Sequence, residues 1–251
     1  MRLGSDPEVF LKNTNGDHIS AIGLINADKW NPMQIPDMPT GYTLQEDNVS
    51  LEYGIPPAAT ADEFVQHIKA VMNASKPYIG QALSFSKLSC VVFTEDQMQH
   101  PGAHIFGCEP DFNAWTGEVN VKPQPPHEWM RSAGGHIHVE TTMDANHVGK
   151  LMDLYLGVPS ILMDINGGLR KKLYGKAGCI RYKTYGVEYR TLSNFWIFEE
   201  KLIRWVWQQT AAALTSNVDV NKYSDLIQNA INNDDSALAL DLCYMFSLEV
   251  A

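Results

Sequence analysis

Residues 134–140 read Gly-Gly-His-Ile-His-Val-Glu, which places two histidines one residue apart in an apolar, β-branched run. Side chains alternate between the two faces of a strand, so His136 and His138 project to the same face. Two other segments repeat this period of two: Asp6-Pro7-Glu8 and Glu188-Tyr189-Arg190. We therefore predict three strands that each present two polar groups on one face, and a metal or phosphate site where they meet.

Length and composition allow the chain of 251 residues, 45% of them hydrophobic, to bury a full core as one large domain or two closely joined lobes. The formal net charge of -10, without a Lys/Arg-rich block, disfavours binding to nucleic acid. The 4 cysteines are widely spaced and form no CxxC pair, which favours a reduced, cytoplasmic protein. Because an acidic residue already occurs at Asp6, we expect no secretory signal, and no apolar run predicts a membrane span.

The first third of the chain predicts mixed strand and helix. Segments 8–12 and 18–23 should form a hairpin around the Asn15-Gly16 pair, which favours a tight turn. Segment 49–54 reads as a strand with Glu52 on one face. A capping box at residues 60–63 should start a helix that runs to about Ser75.

The remaining elements follow the same patterns. Segments 88–94, 135–141 and 187–192 read as strands. Segment 97–131 reads as a long loop or a pair of loops with short strands, and segment 167–183 reads as a second long loop. A helix should run from Asp144 towards Ile165 with a break at Pro159. Further helices should cover 195–214 and start at about Lys222 and Ser236. We predict one domain over 1–251 with C-terminal helices from about 195.

The polar residues on the three strands suggest a particular chemistry. Aspartate, glutamate and histidine without a cysteine partner suit Mg²⁺ or Mn²⁺ more than a structural zinc. Arg190 lies two residues from Glu188, and a guanidinium beside metal-binding carboxylates needs an anion between it and the metal. A nucleotide polyphosphate meets that need, so the residues point to phosphoryl transfer.

Each motif also has a structural alternative. The two histidines can be a solvated strand face or paired core residues, and Asp6-Pro7 can be a turn that leaves Glu8 exposed. Glu188 and Arg190 can form an ordinary surface ion pair. Likewise, Glu52 can face solvent, and residues 109–111 can be only a loop.

Five motifs, taken in their order along the chain, resemble the carboxylate–amine ligases with the glutamine-synthetase fold, and among them the phage-type COOH–NH2 ligases. They are Gly-Ser-Asp-Pro-Glu-Val-Phe at 4–10, Gln-Glu-Asp-Asn-Val-Ser-Leu-Glu-Tyr at 45–53, Phe-Gly-Cys-Glu-Pro-Asp-Phe-Asn-Ala-Trp at 106–115, residues 134–140, and Arg181 with 187–194. The resemblance implies an α+β fold in which the site lines a curved antiparallel sheet and helices pack on the outer face of that sheet.

The resemblance also implies roles for single residues. The implied metal ligands are Asp6, Glu8, Glu52, His136 and Glu188. Arg190 would neutralise the transferred γ-phosphate, Arg181 would contact a second phosphate or the substrate carboxylate, and His138 would lie close to either ligand. Glu109 and Asp111 would complete the metal shell or bind the incoming amine, and one of them would take its proton.

The activity implied in this way is ATP-dependent joining of a carboxylate to an amine, with Mg²⁺ or Mn²⁺, through an acyl phosphate to an amide or isopeptide bond. Small-molecule or peptide carboxylates and amines are the expected partners, without nucleic acid or membrane, in the cytoplasm of the host if a phage encodes the chain; oligomerisation is left open. One rival is a metal-dependent hydrolase, but only His147 follows His138 to supply a further histidine ligand. The other is a non-catalytic nucleotide-binding or virion-associated protein on the same fold.

Overall fold

The computed structural model describes residues 1–105, 110–121 and 124–251. Its strands are β1 (Arg2–Ser5), β2 (Glu8–Val9), β3 (Leu11–Asn13), β4 (His18–Ile19), β5 (Met33–Gln34), β6 (Thr43–Asp47), β7 (Ser50–Gly54), β8 (Leu83–Phe85), β9 (Cys90–Val92), β10 (Phe112–Asn113), β11 (Met130–Ser132), β12 (Ile137–Glu140), β13 (Cys179–Lys183) and β14 (Gly186–Tyr189). Its α-helices are α1 (Ala61–Ile79), α2 (Ala145–Met152), α3 (Val158–Met163), α4 (Glu200–Thr215), α5 (Ser224–Asn232) and α6 (Ser236–Phe246). Short 3-10 helices cover Glu95–Met98, Pro101–His104, Arg170–Lys172, Asn194–Phe198 and Val220–Tyr223.

Antiparallel pairing organises these strands. The main sheet has the order β1-β12-β14-β13-β10, and the second sheet has the order β2-β7-β6-β5. Two smaller sheets have the orders β4-β3-β8 and β11-β9. Antiparallel sheets combined with separate helices make the architecture α+β, as the sequence predicted.

Pro7 marks the point where the chain leaves the main sheet and enters the second sheet. β1 ends at Ser5 and β2 begins at Glu8, while the Pro7 carbonyl accepts the N–H of Tyr53 at 3.0 Å. Proline has no N–H to donate to a strand ladder, so it suits this break. The prediction that Asp6 and Glu8 share one strand face is therefore wrong, because Asp6 follows the end of β1 whereas Glu8 begins β2 of the second sheet.

Helices cover the apolar face of the main sheet. Val139, Ile180 and Val187 are fully buried, and α2 contacts both β13 and β14. The hydrophobic cluster beneath them extends from Leu3 in β1 to Leu242 in α6. Because side chains alternate along a strand, the opposite face of the same sheet presents the polar residues.

Several predicted elements are confirmed, with shifted ends. Leu11 pairs with Ile19 in the predicted hairpin. α1 begins after Thr60 as the capping box predicts, but it continues to Ile79 rather than ending near Ser75. The helical region predicted from about residue 195 begins with the 3-10 helix Asn194–Phe198, followed by α4. Over the described residues, no helix has both the length and the apolar character that crossing a bilayer requires.

The predicted break in the helix after Asp144 takes the form of a π-helical turn. Asp144 caps α2 by accepting the N–H of His147 at 2.8 Å, and the π-helix Asp153–Gly157 then connects α2 to α3. Pro159 lies in the first turn of α3, where a missing N–H costs little. Asp153 is fully buried there, and its carboxylate accepts the Tyr189 hydroxyl at 2.8 Å.

Five strands were not predicted, namely β1, β5, β6, β8 and β13. Segment 167–183, predicted as a loop, contains the 3-10 helix Arg170–Lys172 and ends in β13. The glycines and lysines that precede Cys179 conceal the strand pattern. β6 was also missed, because its sequence Thr-Leu-Gln-Glu-Asp is mostly polar.

Replacing Thr60 by alanine should lower the free energy of unfolding by about 1 kcal/mol, because it removes the N-cap of α1. Thr60 Oγ1 accepts the Glu63 N–H at 3.2 Å, and the Glu63 carboxylate accepts the Ala59 N–H at 2.7 Å. Thr60→Ser keeps the acceptor and should unfold like the unaltered protein in urea. Equal stability of the two variants would contradict this cap.

Candidate active site

The strand register of the main sheet places several of the predicted polar residues directly opposite one another on neighbouring strands. His138 pairs with Gly4 on one side and with Glu188 on the other, and Glu188 pairs in turn with Arg181. Directly opposed residues in an antiparallel sheet project to the same face, with their Cβ atoms about 5 Å apart. An imidazole, a carboxylate and a guanidinium therefore lie side by side on the polar face.

Asp6, His138 and Glu188 form the first cation group. Each offers one ligand atom, and these atoms lie within 4.8 Å of one another. Asp6 Oδ1, His138 Nε2 and Glu188 Oε2 are buried without a hydrogen bond of normal geometry, although Asp6 Oδ1 and His138 Nε2 are only 3.0 Å apart. Glu188 Oε2 also lies 2.8 Å from Lys183 Nζ, but two carboxylates and one imidazole at this spacing fit a divalent cation.

Glu8, Asp47 and Glu52 form the second cation group. Glu8 pairs directly with Glu52 across β2 and β7, and the three carboxylates also place ligand atoms within 4.8 Å of one another. Burial, reinforced by the charge of Asp47, raises the pKa of Glu8 to about 8. Burial and the neighbouring carboxylates raise the pKa of Glu52 well above its usual value. A divalent cation would relieve this repulsion, so this group also fits a metal.

Gly134 holds Glu8 against the histidine strand. The Gly134 N–H donates to Glu8 Oε2 at 2.7 Å, and Asn194 Nδ2 donates to the Glu8 carbonyl at 2.8 Å. A Cβ at Gly134 would lie 2.2 Å from His136 Nε2 and 2.9 Å from Arg170 Nη2. Glycine is required here because these groups approach the backbone too closely for any side chain.

Three basic side chains surround the fully buried carboxylate of Glu188. Arg190 Nη1 donates to Oε1, Arg181 Nη1 lies 3.3 Å from the same oxygen, and Lys183 Nζ lies 2.8 Å from Oε2. Burial and Asp6 oppose ionisation, but Arg190 and the other cations lower the pKa of Glu188 to about 2. Glu188 is therefore an anion that fixes the direction of three cations.

Arg190 connects Glu188 to the neighbouring residues. Its Nη1 lies 3.2 Å from His136 Nδ1, and its Nε lies 3.7 Å from Asp111 Oδ2. Burial lowers the pKa of Arg190, but Glu188 and the other acidic neighbours outweigh it and raise the pKa. The guanidinium stays protonated at the centre of the site.

The geometry favours His138 over His136 as a cation ligand, which differs from the predicted roles. His138 belongs to the first cation group. Burial and the charge of Arg190 lower the pKa of His136 to about 4. The fixed guanidinium beside His136 Nδ1 would repel a metal ion bound to that nitrogen.

The remaining predicted residues have these positions. Charges on Asp6, Glu8 and Arg190 all act on Glu52, so the structure brings these four together as predicted. Asp111 lies outside both cation groups and accepts the Cys179 thiol at 3.1 Å. Glu109 lies outside the described residues.

Sequence reasoning missed Asp47, Lys183 and Arg170. Asp47 lies within the motif at 45–53, and assigning β6 as a strand would have pointed to it. Lys183 follows Arg181 at the same period of two, but segment 167–183 was interpreted as a loop. Arg170 is a buried cation whose Nη1 donates to the Thr191 carbonyl at 2.8 Å, and no pattern in the sequence marks it.

A cleft of about 370 Å³ opens beside Arg190, Arg181 and the second cation group. Its charged lining includes Glu8, Asp47, Asp111, Arg131, Arg170, Arg181 and Arg190. Its apolar lining includes Phe10, Val49, Ile105, Met130 and Leu173. A concave site with apolar walls and a few convergent charges suits a small-molecule ligand.

The free energy of unfolding should fall as the pH rises from about 4.5 to about 8 in metal-free buffer, because folded Glu8 keeps a proton that the unfolded carboxyl has already lost. One such group contributes a slope of up to about 1.4 kcal/mol per pH unit. Glu8→Gln cannot titrate, so it should reduce the slope, whereas Glu95→Gln at an exposed position should not. Urea unfolding at pH 5 and pH 8 measures the slope, and an identical slope in both variants would refute the protonated state of Glu8.

Comparison with known families gives one match. Residues 125–236 match the family model described as Phage phiEco32-like COOH.NH2 ligase-type 2. The matched segment contains β12, β13 and β14, and with them Arg181, Glu188 and Arg190. A search of proteins with curated functions found no match. Residues 125–236 are thus similar to the phage phiEco32-like COOH–NH2 ligases, which supports the family suspected from the motifs and the carboxylate–amine ligase class that its description names.

Proposed function

We propose that this ligase uses ATP and Mg²⁺ or Mn²⁺ to join a carboxylate to an amine through an acyl phosphate, on a glutamine-synthetase-like fold. One observation carries the proposal: two carboxylate-rich cation groups lie beside Arg190 and Arg181, and the second group shares one cleft with both arginines through Glu8 and Asp47. The antiparallel main sheet, with helices on its apolar face and the site on its polar face, supports the proposed fold.

The donor set of the two groups supports a hard divalent cation. Five carboxylates and one imidazole supply the ligand atoms, without a thiolate. Oxygen-rich sites of this kind suit Mg²⁺ or Mn²⁺. When bound, such ions neutralise the charge of a polyphosphate during phosphoryl transfer.

The arrangement of the two arginines supports the binding of an anionic ligand beside those cations. Arg190 and Arg181 both approach Glu188 Oε1, which orients their guanidinium groups on the polar face that lines the cleft. Arginine binds phosphate and carboxylate oxygens in a fixed geometry. Arg190 would neutralise the transferred phosphoryl group, and Arg181 would hold a second phosphate or the substrate carboxylate.

A free carboxylate resists attack by an amine because its oxygens are poor leaving groups, so it must first be activated. Its oxygen attacks the γ-phosphorus of ATP, which releases ADP and gives an acyl phosphate. The amine nitrogen then attacks the acyl carbon, the C–O bond to phosphate breaks, and the nitrogen loses a proton. Asp111, with a side chain 14% exposed and beside Arg190, is the described carboxylate we assign to take that proton.

Formation of ADP from ATP in the presence of Mg²⁺, screened against pools of carboxylates and amines, tests the activity. A ligase forms ADP in repeated turnovers only when both an acid and an amine are present, because the amine is needed to consume the acyl phosphate. Substrate turnover at the same rate with and without ATP would instead indicate a metal-dependent hydrolase. Thermal stabilisation by Mg²⁺ and ATP without ADP release in any pool would indicate a non-catalytic nucleotide-binding protein.

Glu188→Gln and Arg190→Ala should each reduce ADP formation by about 10³-fold or more, since both remove groups that organise the transferred charge. Arg2→Ala is the matched control, because Arg2 pairs with Glu140 only at 4.0 Å on the surface. Initial rates and far-UV circular dichroism on all three variants make the comparison. Retained turnover in both site variants would remove the catalytic assignment.

A further inference from the structure

We propose that the ammonium group of Lys183 and a divalent cation compete for Glu188, so that a cation enters the first cation group only as Lys183 turns towards an anionic ligand. The inference rests on the proposed metal-dependent function. It concerns a residue that no sequence motif pointed to.

The first observation behind the proposed competition is the position of Lys183. Its Nζ lies 2.8 Å from Glu188 Oε2, and Glu188 is one of the three residues of the first cation group. That oxygen, Asp6 Oδ1 and His138 Nε2 are buried without a hydrogen bond of normal geometry. The ammonium therefore lies at the edge of the position that a divalent ion would occupy, and like charges at such short range repel strongly.

Lys183 is the cation around Glu188 that can move most readily. Its side chain is 27% exposed, compared with 11% for Arg190 and 19% for Arg181. Arg190 also contacts His136 and Asp111, which hold it in place. A lysine side chain is a flexible stem with a strongly hydrated charge, so it can leave the carboxylate and reach water or a ligand.

Displacement gives Lys183 a second role. Once a divalent ion neutralises Glu188, the released ammonium can pair with another counter-ion. Polyphosphate oxygens supply one, so cation binding and nucleotide binding should strengthen each other through Lys183. Such coupling is reciprocal between the two ligands.

Lys183→Met tests the competition with Mn²⁺ alone, followed by electron paramagnetic resonance of the free ion. We expect one Mn²⁺ site to tighten about tenfold or more, because the competing charge is gone. Lys201→Met, at an exposed position, is the matched control for the loss of one positive charge and should leave Mn²⁺ affinity unchanged. Lys183→Arg keeps the charge and should bind Mn²⁺ no more tightly than the unaltered protein.

The reciprocal measurement uses a fluorescent ADP analogue with and without Mn²⁺. The nucleotide chelates Mn²⁺ in solution whichever variant is present. Only the difference in nucleotide affinity between the variants therefore reports on Lys183. The gain in nucleotide affinity on adding Mn²⁺ should be smaller in Lys183→Met than in Lys201→Met.

The outcomes separate this inference from the proposed function. Equal Mn²⁺ affinity in Lys183→Met and Lys201→Met, with ADP formation intact in the unaltered protein, would overturn the competition and leave the ligase proposal standing. Tighter Mn²⁺ binding in Lys183→Met without any ADP formation would support the competition alone. If Lys183→Met loses its circular dichroism spectrum, Lys183→Gln, which keeps a polar end, replaces it in the same titration.

Discussion

Ionised Glu188, buried in the middle of the main sheet, has to be balanced by nearby cations, because an isolated buried carboxylate would take up a proton instead. Arg181 and Lys183 in β13, together with Arg190 directly after β14, provide that balance. The same carboxylate belongs to the first cation group. One buried charge thus orients the guanidinium groups that line the cleft and also belongs to a candidate metal site, which couples the two halves of the site.

The opposite face of the sheet holds this arrangement in place. Asp153, in the π-helical turn, accepts the hydroxyls of Tyr189 at 2.8 Å and Thr191 at 3.3 Å, the residues on either side of Arg190. Trp115 Nε1 donates to the same carboxylate at 2.7 Å. Because these bonds lie in the protein interior, they secure the backbone of Arg190 against the helices. The wide turn is what brings Asp153 to the sheet.

Much of the site could be predicted because strand periodicity is local. His136, His138, Glu188 and Arg190 reveal their shared face through a spacing of two residues. Pairing between distant segments is not local, so the sequence did not indicate that His138, rather than His136, would join the first cation group. Asp47 and Lys183 were missed for a related reason, since each ends a strand whose polar or glycine-flanked sequence does not resemble one.

Pro7 gives the two cation groups a shared constraint. It separates Asp6 of the first group from Glu8 of the second by a single residue whose ring fixes φ. The spacing between two bound ions would therefore be set by the angle between two sheets and could not be adjusted by one side chain.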